Sequence, residues 1–154
     1  MSPSPNPAIL KQGWSKNLAD CVPKLIDAYP IVITKFTDFH TSLTVRLDYT
    51  WRSVPFQQSL FEKGRTLVDG VWVLTHPELK VTNNDGVKKP SKHNVYPSLA
   101  LDFIIFSGKT PRWSSDYDQE ARQLYKEMGR MFEAQGCVSG AMWKPWADPG
   151  HVQV

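Results

Sequence analysis

An ionised carboxylate inside an apolar strand is costly unless it is paired or bound to a metal. Asp102 occupies such a place, in Leu101-Asp102-Phe103-Ile104-Ile105-Phe106. Nine residues upstream lies His93, and the intervening Tyr96-Pro97-Ser98 can turn the chain so that this imidazole returns beside the strand. His151, in Asp148-Pro149-Gly150-His151-Val152-Gln153, is a third candidate. Two imidazoles and one carboxylate suffice to hold a catalytic zinc, with the fourth position left to water. Such a metal lowers the pKa of its water to about 7 and polarises a carbonyl. A general base outside the ligand set is also required. Asp148, three residues before His151, can be turned inward for that task by Pro149-Gly150. Arg52 can hold a substrate carboxylate or steady a developing oxyanion.

Each of these residues also has a plainer reading. Asp148-Pro149-Gly150 alone is an ordinary turn sequence, and Arg52 alone is an ordinary salt-bridging residue. His40 and His76 read as surface or satisfied core histidines. Ser91 and His93, two apart on an extended segment, merely share a face and do not make a serine nucleophile. Trp143 and Trp146 read as core or cleft wall before they read as a sugar platform. Spacing alone leaves the zinc proposal open.

The elements that must position these residues can be read from periodicity. Leu43, Val45, Leu47 and Tyr49 alternate with Thr44, Arg46, Asp48 and Thr50, which predicts a half-buried strand ending near Arg52. Upstream, residues 16–40 suggest one or two helices that Pro23 and Pro30 must start, kink or interrupt. A helix over about 55–63 is stopped by Gly64. Residues 66–92 read as a long, largely irregular loop, with a short strand at 71–74, placed to act as a mobile lid. Residues 101–106 are apolar on both faces and predict a central strand. Ala121, Leu124, Tyr125, Met128, Met131 and Phe132 form the stripe of a helix over 116–135, with Ser115 as its N-cap and Gly136 at its end. A short strand closes the chain at 151–153. The expected class is α+β, one domain over 1–154, with a loose arm at 1–8.

Bulk properties narrow the function. Of 154 residues 41% are hydrophobic and 21% charged, and 18 Lys plus Arg against 15 Asp plus Glu leave a net charge of +3. The one basic run, Lys88-Lys89-Pro90-Ser91-Lys92, is too thin a footprint for nucleic-acid binding. Cys21 and Cys137 are too few for a disulfide framework and read as reduced, core residues. Neither a signal peptide nor a membrane span is expected, so no stable membrane association is.

Taken in order, these residues carry a family resemblance. Tyr49-Thr50-Trp51-Arg52-Ser53 through Gln57, Leu60 and Gly64-Arg65-Thr66 resembles the "YRS…Q..L…GRT" signature of the zinc D-alanyl-D-alanine carboxypeptidase family. Val81-Thr82-Asn83-Asn84-Asp85-Gly86-Val87 through His93 is similar to the stretch before its first zinc histidine, and Ala100-Leu101-Asp102 to its metal carboxylate. Asp148 to Gln153 resembles its closing "DPPHFQ". Within the family the likeness is greatest to phage L-alanyl-D-glutamate endopeptidases, a group of endolysins.

The resemblance implies zinc on His93, Asp102 and His151, Asp148 as catalytic acid/base and Arg52 at the substrate. Gln57, Ser91 and Trp143 are candidate substrate-binding residues. It implies a small antiparallel sheet flanked by helices, with zinc in a surface cleft. The partner would be peptidoglycan (murein), and the protein a monomer. It would be made in the host cytoplasm and act on the wall once a membrane-permeabilising lysis protein admits it. The alternatives are a D-alanyl-D-alanine carboxypeptidase or dipeptidase, and a catalytically silent wall-binding protein. Three departures bear on pocket shape. The His93-to-Asp102 spacing is two longer than the commonest "HxxGxAxD", Gly150 and Val152 stand for Pro and Phe, and Gly140-Ala141 stands for a Gly-Gly pair.

Overall fold

The computed structural model describes residues 3–115 and 117–154. Met1 and Ser2, within the expected arm, and Asp116, at the expected start of the last helix, lie outside the described residues.

Near the N-terminus α1 (Pro7–Gln12) is capped by Asn6, whose side chain accepts from the Ala8 and Ile9 amides. Helix α2 (Pro23–Phe39) starts with proline at its first position and runs unbroken through Pro30. Pro23 therefore starts one helix, and Pro30 lies within it. Its buried residues Leu25, Ala28, Val32 and Phe36 recur every three or four positions, the stripe that faces a core. Next come β1 (Leu43–Leu47) and α3 (Val54–Glu62), the latter capped by the Ser53 hydroxyl. Residues 66–92 are less irregular than expected. They open with a hairpin of β2 (Arg65–Val68) and β3 (Val71–Leu74), joined at Asp69-Gly70.

The central strand β4 (Ala100–Ser107) pairs antiparallel with β1 along five residues, and its far end with β5 (Thr110–Arg112). Helix α4 (Gln119–Ala134) begins later than its stripe suggested, capped by the Asp118 carboxylate and not by Ser115. The Ser115 hydroxyl instead accepts from the Asp118 amide, one residue short of the helix. Two short strands, β6 (Val138–Ser139) and β7 (His151–Gln153), complete a sheet of order β1-β4-β7-β6. The architecture is α+β: a small antiparallel sheet with α2 and α4 packed on one face.

That face is the core. Leu101, Phe103 and Ile105 point from β4 towards α2 and α4, where Phe36, Met128 and Phe132 are fully buried. Each such phenylalanine contributes about 1.5–3 kcal/mol by leaving water. Phe103 stacks on Tyr125 and Phe132 at centroid distances of 5.6 and 5.7 Å. The Tyr125 hydroxyl donates to the Arg112 carbonyl and accepts from the Ile105 amide, fastening α4 to the sheet. On β4 the alternate residues Asp102, Ile104 and Phe106 face the other way and are half-buried. Among the described residues no helix is long and apolar enough to cross a membrane.

Cys21 and Cys137 are free, buried in this core and 2% and 5% exposed. Burial, and then the neighbouring Asp20 charge, push the Cys21 thiol up to about 12. Burial raises Cys137 too, against the opposing charge of Lys24. Both should therefore be inert to a thiol reagent at neutral pH in the native protein and react fully in guanidinium. Rapid labelling of either without denaturant, followed by absorbance, would contradict this packing.

Candidate metal centre and cleft

The register of the sheet makes the first half of the site. Asp102 on β4 lies directly opposite His151 on β7. Opposed residues of an antiparallel pair project to the same face, here the one turned away from α2 and α4. The distance between His151 Nδ1 and Asp102 Oδ1 is 3.0 Å. His93 arrives from outside the sheet, on a single helical turn at Lys92–Asn94. The Ser91 hydroxyl and the Asn94 side chain cap that turn reciprocally, and the Arg52 amide donates to the His93 carbonyl. His93 Nε2 then lies 3.2 Å from Asp102 Oδ1 and 3.3 Å from His151 Nδ1.

The ring atoms on the far sides fix the tautomers. His93 Nδ1 faces the Thr50 carbonyl and must donate to it. His151 Nε2 faces Gln153 Oε1 at 3.0 Å and donates there. Each imidazole therefore turns an unprotonated nitrogen towards the other and towards a carboxylate oxygen. Three lone-pair donors converge with no hydrogen of their own between them, so a cation or a shared proton must fill the centre. A tetrahedral site with bonds of about 2.0–2.1 Å has edges of about 3.3 Å, and the three separations match that triangle. The second ring nitrogens are tied to oxygen acceptors, as ligand histidines require. These residues can hold a metal ion.

Arg52 completes the frame. Its guanidinium pairs with Asp102 Oδ2, leaving Oδ1 for the imidazoles. Burial works against ionisation of Asp102. The charges of His93 and Arg52 and the close approach of both imidazoles outweigh it and hold the carboxyl well below the usual range. Burial also opposes charge on His151, but Asp102, Asp148 and Gln153 raise it above its ordinary value. A metal binding here displaces that proton, so its affinity falls as the medium becomes more acidic.

The centre lies in a cleft of about 550 Å³ whose walls include Arg52, Ser91, Trp143 and Asp148. Trp143 stands over His151, ring centroids 5.3 Å apart, and is 38% exposed. Asp148 is open to solvent at the cleft, and among the described residues its carboxylate makes no hydrogen bond to protein. The protein around it, and then the Asp102 charge, raise its pKa, against the opposing charges of His151, Arg52 and His93. Gln57 is not in the wall. It is wholly buried, with its amide donating to the Asn84 carbonyl at 2.9 Å and its oxygen 3.4 Å from Arg52 Nη1. His40 pairs with Glu127 and His76 with Glu78, and none of these residues lines the cleft.

The 148–151 turn owes its position to glycine. A Cβ on Gly150 would stand 2.5 Å from the Phe103 carbonyl, and one on Gly140 would stand 2.4 Å from the Asp148 carbonyl. The Asp148 amide donates to Gly140 and the Phe103 amide to the Gly150 carbonyl. Gly150 thus lets β7 close on β4.

By sequence, no protein-family model and no curated protein matches the chain. In structure it is similar to the L-Ala D-Glu endopeptidase ChiX of Serratia marcescens. The TM-score is 0.50 at 18% identity, over 90% of this chain and 83% of that one. At that identity the likeness speaks for the fold.

Two supports were not assigned from sequence. The Thr50 carbonyl leaves no side-chain signal, whereas Gln153, two residues after His151 on a strand, was placed to share its face. Replacing Gln153→Ala should free the His151 tautomer and weaken divalent-cation affinity about 10- to 100-fold. Calorimetric titration with zinc measures it; unchanged affinity would mean that Gln153 does not orient the ring.

Proposed function

We propose that this chain is a zinc peptidase that hydrolyses the L-alanyl-D-glutamate bond of murein stem peptides, as phage-type endolysins do. The observation that carries the reading is the triangle of unprotonated donors beside Asp102's partner Arg52 and the exposed carboxylate of Asp148, all in one open cleft. Likeness of fold to an L-Ala D-Glu endopeptidase supports the choice of substrate.

His93, Asp102 and His151 would hold the ion, and two nitrogens with one oxygen suit zinc. When bound, zinc supplies Lewis acidity and makes hydroxide available near neutral pH. The remaining work falls to side chains. Asp148, its pKa raised, accepts a proton from the attacking water and returns it to the leaving amine. Arg52 keeps Asp102 oriented, and among the described residues its buried Nε–H has no partner. Its guanidinium stabilises negative charge developing on the scissile carbonyl oxygen. Trp143 and Ser91 wall the groove in which the peptide lies, and Gln57 serves indirectly by fixing Arg52 and the 82–84 segment. Peptidoglycan is thus the partner, reached after a separate protein has permeabilised the membrane.

Purified peptidoglycan treated with zinc-loaded protein should release stem peptides that begin at D-Glu, identified by mass spectrometry. Asp148→Asn should lower the rate at least about 100-fold while still binding zinc. Release of free D-Ala alone would assign a carboxypeptidase, and no product from zinc-loaded protein would assign a binding role.

A further inference from the structure

Beside the metal cleft is a second cavity of about 490 Å³, between α4 and the segment 141–149. Arg122, Lys126 and Arg130 contribute to it from one side, four residues apart along α4 and so on one stripe of the helix. Lys144 contributes from the other side, and Ala141, Met142, Ala147 and Pro149 form an apolar floor. Among the described residues no carboxylate lines it. Lys126 and Arg130 face the further cation Lys144 across a concave apolar floor. This is the arrangement expected where an anionic group is to be received.

The cavity is continuous with the cleft. Ser114, Tyr125, Trp143 and Pro149 line both, so Trp143 stands at the junction with its ring over His151. A chain lying at the metal centre can therefore extend past Trp143 into the basic trough. Resting on the peptidase reading, we infer that the trough is a carboxylate-binding subsite that takes the acidic part of the stem peptide beyond the scissile bond. The stem has free carboxylates there, on the glutamate and at its C-terminus, with a further one where its third residue is diaminopimelate. Lys126 and Arg130 receive them from the helix side and Lys144 from the loop side. The trough selects acidic over amidated stems and sets the direction in which the peptide lies.

The test uses the tetrapeptide L-Ala-γ-D-Glu-diaminopimelate-D-Ala and its amidated counterpart, titrated calorimetrically into zinc-loaded Asp148→Asn protein, in which turnover is slowed at least about 100-fold. The acidic peptide should bind about tenfold more tightly. That preference should collapse in Lys126→Gln/Arg130→Gln and shrink on raising salt from about 0.05 to about 0.5 M. Should the helix variant fail to fold by circular dichroism, Lys144→Gln on the loop reads the same preference. Equal affinity for the two peptides, or a preference untouched by these changes, would overturn the subsite. So would tighter binding of a short DNA oligonucleotide than of the acidic peptide.

Cleavage by the Asp148-bearing protein, followed in parallel, separates the two proposals. Cleavage of both peptides at equal affinity sinks the subsite and leaves the peptidase. Charge-dependent binding without any cleavage sinks the peptidase and leaves a basic trough for acidic peptides.

Discussion

Three unprotonated donor atoms held between 3.0 and 3.3 Å apart repel one another, and the surrounding structure exists in a form that keeps them together. The repulsion is relieved only by a cation or a proton at the centre. Each donor is restrained from behind: His93 by the Thr50 carbonyl, His151 by Gln153, and Asp102 by Arg52. Gln153 is only two residues from His151, but the other two restraints are far off in sequence. They reach across 43 residues for His93 and 50 for Asp102, so the site forms only when the sheet has closed.

That closure divides the sheet between two duties. The face bearing Leu101, Phe103 and Ile105 is packed by α2 and α4 and supplies the hydrophobic stabilisation. The opposite face carries Asp102, whose carboxylate would be prohibitive in the core but is half-buried and paired where it stands. Strand β7 belongs to both, with Val152 buried in the core and His151 and Gln153 turned to the cleft. A change in β7 register by one residue would exchange these roles and abolish the donor triangle.

The parts of this arrangement visible in the sequence were those governed by short-range rules. Alternation located β1, an apolar run located β4, and a helical stripe located the body of α4. The oddness of Asp102 in an apolar run pointed to the centre, because burying a charge needs a reason. Long-range geometry was not legible in the same way. Gln57 reads as a polar residue near a motif, but its complete burial under the 82–84 segment depends on tertiary packing. The β2–β3 hairpin was half seen, since β3 alternates weakly and β2 is short and exposed. Pro30 was expected as a possible break in α2, and the helix instead continues through it, its apolar stripe spanning the proline. The basic trough had no signature along the chain, because Lys144 meets the α4 stripe only in the fold.

X-ray absorption at the zinc edge tests the central claim most directly, on protein reconstituted with one equivalent of the metal. Two imidazoles and one or two oxygens at about 2.0–2.1 Å, with no sulfur, are predicted. The second imidazole shell should be lost in His151→Ala. A sulfur shell near about 2.3 Å, or a spectrum indistinguishable from hydrated zinc, would contradict the claim that His93, Asp102 and His151 form the metal centre.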